Sequence, residues 1–162
     1  MLFQKPYRLG VGAVLRHKDG RVFAAQRLDN PEPAWQMPQG GIDEGEAPST
    51  TIFRELLEEI GTDKAKITAV TSMWLDYDLP EDLQATIWKG RYRGQRQKWF
   101  LLDYLGRDAD INIATEHPEF RAWSWFHYEE LLDCIVPFKR SLYEQIGIEL
   151  HLLPHNAAST KV

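Results

Sequence analysis

Three glutamates, Glu55, Glu58 and Glu59, fall within five positions of one another, directly after Arg54 in the stretch RELLEE. On a helix turning about 100° per residue, positions i, i+3 and i+4 share one face, so these carboxylates converge. Exposed like-charge pairs at that spacing each cost roughly 0.2–0.5 kcal/mol. A bound hard cation such as magnesium, which takes oxygen ligands, would reverse that sign. Arg54 stands four residues before Glu58 and can hold one carboxylate in place. The competing reading is a solvated acidic face, which is what most charge clusters on helices are.

The helix that would present them is expected from about Glu46 to Ile60, with Pro48 in its first turn and Gly61 as its stop. Ile52, Phe53, Leu56, Leu57 and Ile60 share the other arc and would pack on a sheet. Upstream, RLGVGAVLR alternates with Val11, Ala13 and Leu15 on one face, as a half-buried strand does, and RVFAAQR returns after the turn at Asp19-Gly20. AWQMPQGG is a short extended piece interrupted by Pro38. Downstream, AKITAVTSMWLDYDL reads as one long strand and LQATIW as another. QKWFLLDYLG reads as a central strand, and FRAWSWF, with Trp123 and Trp125 alternating, as the last. YEELLDCIV and FKRSLYEQIGIEL follow as helical segments broken by Pro137. No repeat or linker divides the chain, so one domain is expected over residues 1–150 with a loose tail over 151–162. The fold class is α+β, with a mixed sheet packed between helices.

Composition narrows the function classes. The single cysteine, Cys134, excludes an internal disulfide and a cysteine-rich zinc site, and the five histidines form no pair at zinc-like spacing. No apolar run is long enough for a membrane span and the start lacks a signal-peptide core, so a soluble cytoplasmic protein is expected, with no membrane partner. A net charge of −5 argues against a general nucleic-acid coating protein. The charge is uneven, however: residues 89–98, KGRYRGQRQK, carry Lys89, Arg91, Arg93, Arg96 and Lys98 with no acid. An acidic body with a local basic strip suggests that metal and polyanion meet in one place.

Gly40, Glu46, the run Arg54-Glu55-Leu56, the pair Glu58-Glu59 and Gly61 together resemble the Nudix box of the Nudix hydrolases, which act on nucleoside diphosphates linked to another moiety. Every specified position matches except the last, where Thr62 stands in place of a bulky aliphatic residue. The resemblance implies the Nudix fold, an α/β/α sandwich, and dependence on Mg2+, with Mn2+ or another divalent cation able to substitute. It implies metal ligation by the Gly40 carbonyl and by Glu55, Glu58 and Glu59, with Glu46 and Arg54 bracing the loop against the helix. Glu119, in EHPEFRAW, would be a further ligand or base, with Glu116 as its rival. Glu55 and Glu119 are the candidates for taking the proton from water, and residue order leaves that choice open.

Beyond the box, YRLGVGAVL, WQMPQGGI, WLDYDLP, GQRQKWFLL and FKRSLY resemble the bacterial RNA pyrophosphohydrolase and dinucleoside polyphosphate hydrolase subfamily. That implies hydrolysis of 5′-triphosphate or diphosphate RNA ends to the monophosphate, a step that initiates mRNA decay. Hydrolysis of diadenosine tetraphosphate is the alternative, and a catalytically inactive nucleotide- or RNA-binding module the remote one. By the same resemblance Arg8 and Arg27 contact 5′ phosphates, Phe138 stacks on a base and Lys139 binds phosphate. Gln39, beside the metal loop, and Lys98, in the basic strip, are further candidates for phosphate contact. Each has a plainer reading: solvated arginines for Arg8 and Arg27, a turn residue for Gln39, a solvated loop for Lys98 and ordinary core for Phe138. No obligate protein partner is readable.

Overall fold

A computed structural model describes residues 4–154. The sheet is organised by two long strands, β1 (Tyr7–Arg16) and β7 (Gly94–Tyr104), which run parallel in register from Tyr7 opposite Gly94 to Arg16 opposite Asp103. Their other edges take antiparallel partners. Strand β2 (Val22–Arg27) and the short β4 (Gln39–Gly41) join β1, while β5 (Ala65–Val70) and β6 (Leu75–Asp78) share the far edge of β7. Strands β3 (Trp35–Gln36) and β8 (Phe120–Phe126) pair with β2. Eight strands thus form one mixed sheet among the described residues.

Helices cover both faces. Helix α1 (Pro48–Ile60) packs Ile52, Leu56 and Ile60 against Val11, Ala13, Leu15, Phe100 and Leu102. Helices α3 (Tyr128–Leu132) and α4 (Arg140–Glu149) pack Leu131, Leu142, Tyr143 and Ile146 against Val14, Trp99, Leu101 and Tyr77 on the opposite face. This is an α+β arrangement with the sheet between helical layers, and it corrects the reading of β1 as half-buried. Gly10 through Leu15 are buried throughout, because a strand with helices on both sides of its sheet has no solvent face.

Four local expectations also differ. Helix α1 begins at Pro48 rather than Glu46, since Glu46 is held in a turn by its N–H to the Asp43 carbonyl at 3.0 Å. Leu57, placed on the buried arc, is exposed. The segment expected as a strand at LQATIW forms helix α2 (Glu81–Gln84) and a single 3₁₀ turn, Ile87–Gly90. The outer edge of β7 is already filled by β6 opposite residues 94–97 and by β5 opposite residues 100–104, so that edge offered the segment no ladder. The long strand over AKITAVTSMWLDYDL is accordingly two, β5 and β6, hinged at Thr71, whose N–H still reaches the Trp99 carbonyl at 2.9 Å. At the end of α1, Gly61 takes a left-handed φ of 75° and donates its N–H to Leu57, closing the helix as residue order suggested. Thr62, in place of the bulky aliphatic residue, is buried and accepts the Lys64 N–H on its hydroxyl. The tail expected over 151–162 lies outside the described residues from position 155 onward.

Candidate active site

Arg54 is the hub of the site. Its Nε donates to Glu46 Oε2 and its Nη2 to Glu46 Oε1, both at 2.8 Å, a two-pronged grip of the kind that fixes both distance and orientation. Nη2 also donates to the Gly41 carbonyl at 2.9 Å, while Nη1 reaches Glu55 at 3.0 Å and Glu58 at 3.2 Å. One guanidinium therefore ties the loop before α1 to the acidic face of α1. Thr51, one turn before Glu55, completes the brace by donating its hydroxyl to Glu46 at 2.7 Å. Residue order alone did not single out Thr51. Its position four residues before Glu55, hence on the same helical face, was the available signal.

The three glutamates are not equivalent. Glu58 is exposed, whereas Glu55 is nearly buried and Glu59 only 4% exposed. Glu55 lies against Gly40 so closely that a Cβ there would overlap its carboxylate, which is why the strand β4 needs glycine at that point. The Glu46 carboxyl is held down to about 2, chiefly by the hydrogen bonds from Arg54 and then Thr51. Burial pushes Glu55 up, with Arg54 opposing and Glu58 adding to the rise. Glu59 is driven well above the usual carboxylate range by burial first, then by the neighbouring charges of Glu119 and Glu55. Its Oε2 is buried with no hydrogen-bond partner. A buried carboxylate oxygen without a donor is costly unless something supplies positive charge.

Glu58, Glu59, Glu116 and Glu119 line one open cleft of about 400 Å³, together with Leu57, Thr115 and His117. Glu119 and its rival Glu116 thus both reach it. The Glu119 carbonyl accepts the Leu28 N–H at 2.8 Å, which pins its loop to the end of β2. Thr115 Oγ1 is buried at the cleft wall without a partner. No three acidic, histidine or cysteine side chains among the described residues are already gathered tightly enough to hold a metal ion. The donor set nonetheless fits a hard cation: it is all carboxylate and carbonyl oxygen, and the orphaned Glu59 oxygen lacks a positive partner.

The expected substrate residues divide into separate groups. Arg8 rests its guanidinium against Gly41, beside the loop. Gln39, next to Gly40, accepts a hydrogen bond from Gln97 Nε2 at 3.1 Å. Arg27 spends two of its nitrogens on Asp29, at 2.7 and 2.8 Å. Phe138 and Lys139 sit on the α4 side of the sheet: Phe138 is half-buried 6.1 Å from the Tyr77 ring, and buried Lys139 holds its ammonium 5.1 Å over the same ring. Lys98 donates to the carbonyls of Ser72 at 3.0 Å and Thr71 at 3.2 Å, above Trp74.

Three of the five bases in the strip, Arg93, Arg96 and Lys98, are engaged within the fold rather than left free as residue order suggested, while Lys89 and Arg91 are exposed. Arg96 grips Asp76 through two hydrogen bonds at 2.8 and 2.9 Å, and Arg93 reaches Asp78 at 2.7 Å. Both aspartates belong to β6, which the register lays directly beside the strip, with Asp76 opposite Arg96.

A family model described as the NUDIX domain matches residues 6–146. A protein named RNA pyrophosphohydrolase from Rhodospirillum rubrum is 58% identical over 145 residues, covering 90% of this chain and 87% of its own. One of the same name from Roseobacter denitrificans is 53% identical over 151 residues, covering 91% and 94%. Among solved structures, a C. elegans Ap4A hydrolase complex superposes with a TM-score of 0.63 at 21% identity, covering 90% of this chain and 99% of that one. The E. coli dihydroneopterin triphosphate pyrophosphohydrolase gives 0.62 at 22%, covering 89% and 99%. At such identities the structural matches speak for the fold.

Proposed function

This chain belongs to the NUDIX family, and from that premise we propose that it is a divalent-cation-dependent RNA pyrophosphohydrolase, converting 5′-triphosphate or diphosphate RNA ends to the monophosphate. Nudix hydrolases generally use divalent cations. The observation that carries the reading is the carboxylate set organised by Arg54, with the unpartnered Glu59 oxygen at the cleft it shares with Glu58 and Glu119. Identity of 48–58% to relatives named RNA pyrophosphohydrolase, over most of each chain, supports the substrate.

Glu55, Glu58, Glu59, Glu119 and the Gly40 carbonyl would hold Mg2+, with Mn2+ able to replace it. When bound, such ions neutralise phosphate charge, polarise phosphorus and acidify water. The chain itself supplies position and proton transfer. Arg54 and Glu46 keep the glycine loop docked on α1, which holds Gly40 against the Glu55 carboxylate. Water attacks phosphorus, the P–O bond of the anhydride breaks, and the phosphate or pyrophosphate leaves with the bonding electrons. We assign the proton from water to Glu119. It borders the cleft with no hydrogen bond or ion pair on its carboxylate among the described residues, whereas Glu55 is committed to Arg54. Arg8, Arg27, Gln39 and Lys139 would meet substrate phosphates, and Phe138 the first bases. Lys98, bound to two carbonyls, contributes less.

The deciding experiment is a side-by-side assay with magnesium on 5′-triphosphorylated RNA and diadenosine tetraphosphate. Higher kcat/KM on RNA supports the proposal. Efficient cleavage of the dinucleotide with no phosphate or pyrophosphate released from RNA would overturn it.

A further inference from the structure

Arg8 differs from every other half-buried arginine described in this chain. Arg16, Arg21, Arg27, Arg54, Arg93 and Arg140 each grip a carboxylate. On Arg8, among the described residues, there is no carboxylate and no hydrogen-bond acceptor. A half-buried guanidinium left without acceptors is not held in place by charge, and its five donors remain available to a ligand. Its position is nevertheless defined on two sides. One is the backbone of Gly41, where a Cβ would overlap the guanidinium. The other is the indole of Trp88, whose ring centroid lies 5.2 Å from Cζ. That is the geometry of a cation–π contact, which orients a guanidinium while leaving its in-plane N–H groups free.

Trp88 is brought there by an unusual turn. It sits in the connection between β6 and β7, in the 3₁₀ turn Ile87–Gly90, and both it and Lys89 adopt left-handed backbone, with φ of 51° and 59°. Two successive non-glycine residues in that region are disfavoured and persist only where surrounding contacts impose them. Those contacts are present. Ile87 and Trp88 pack against the α4-side core, Tyr92 meets the indole edge-on at 6.1 Å, and the Arg91 N–H closes the turn on the Trp88 carbonyl. The turn is thereby anchored with the indole held on Arg8.

We propose that Trp88 is a positioning residue for substrate, holding the Arg8 guanidinium against Gly41 so that its free N–H groups face the phosphates of the RNA 5′ end. This rests on the reading of Arg8 as a phosphate contact under the proposed function. The contact serves binding rather than the bond-breaking step, so its loss moves KM and leaves kcat unchanged.

The test is a double-mutant cycle of Trp88→Leu and Arg8→Ala on 5′-triphosphorylated RNA with magnesium, with Trp88→Phe as the conservative variant. NMR of the Arg8 Nε–H, assigned by its loss in Arg8→Ala, accompanies it. Trp88→Leu is expected to raise KM about five- to tenfold, the size of a partly desolvated cation–π contact, at constant kcat. Trp88→Phe should restore most of the loss. In the Arg8→Ala background Trp88→Leu should add nothing to KM. The ring-current-shifted Arg8 Nε–H signal should return toward the ordinary arginine position in Trp88→Leu. An unchanged Arg8 resonance overturns the inference whatever the activity, and so does a KM increase that adds fully to that of Arg8→Ala. If the resonance moves as expected but Arg8→Ala leaves KM on RNA untouched, the contact stands and its role in substrate positioning fails with the reading of Arg8. If wild-type protein does not process RNA at all, the proposed function is what fails.

Discussion

Two charge clusters stand out in this chain, and the fold treats them oppositely. The acids of α1 are brought together and left short of positive partners: one guanidinium serves Glu46, Glu55 and Glu58, and Glu59 keeps a buried oxygen unpartnered. Three of the five bases of the β7 approach are dispersed onto partners, with exposed Lys89 and Arg91 the exceptions. Arg93 and Arg96 find Asp78 and Asp76 across the ladder, and Lys98 finds two carbonyls. A charge run in the sequence is therefore not a field at the surface. What matters is whether neighbouring elements neutralise it, and an uncompensated cluster in a stable fold marks a place where something else supplies the missing charge.

The comparison breaks most readily at Glu58. Because that side chain is exposed, Glu58→Gln should leave unfolding temperature nearly unchanged while lowering kcat on the order of 10³-fold, through loss of a charged oxygen where a cation acts. Wild-type turnover with magnesium would remove Glu58 from the site. Next in size is Arg54→Lys. An ammonium cannot reproduce the fork that holds Glu46 while reaching Gly41, Glu55 and Glu58. Turnover should fall about 10–100-fold, as when an orienting partner behind metal ligands is removed, and magnesium titration should show weaker activation.

Glu59→Gln should move activity and stability in opposite directions. The raised Glu59 pKa means the folded state disfavours the charged form. Its protonated form costs the fold nothing extra below the ordinary carboxylate range, and the penalty grows as pH rises from there toward the folded pKa. In metal-free protein, glutamine should thus match wild type near pH 4 and exceed it in Tm by about 2–4 °C at pH 7, as read by thermal unfolding. Added magnesium should stabilise wild type more than the variant. A variant less stable than wild type at pH 7 without metal would show that the Glu59 charge is already compensated.

The smallest effect is expected at the other cluster. With Arg96 neutralised by Asp76, Arg96→Gln should change KM for RNA by less than about twofold and leave its salt dependence unaltered. A free cation in contact with phosphate would instead lower the salt slope by about one unit. A one-unit loss would restore the strip as a polyanion track and erase the contrast.

Much of the site was legible in order alone because its spacing is helical. Pro48, Gly61 and the apolar positions Ile52, Leu56 and Ile60 specify a helix and its buried side, and the glutamates follow from the period. Glu59 was legible as an acid but not as a buried one beside Glu119, which lies on a distant loop and is brought near only by the fold. The strand expected at LQATIW failed for a similar reason: its local pattern was compatible with a strand, but the β7 edge was occupied.

Residue order by itself determined the reaction class. Carboxylates at fixed helical intervals after a glycine loop are a local arrangement, and local periodicity survives into any fold that forms the helix. Tertiary structure alone decided which charges stay free. The register of β6 on β7 neutralised Arg93 and Arg96, and the turn before β7 placed Trp88 on an Arg8 that no acid holds. Those pairings join residues about 15 to 80 positions apart in the chain. A contact between distant residues depends on strand register and chain path, and neither is written in the spacing of the residues that make it.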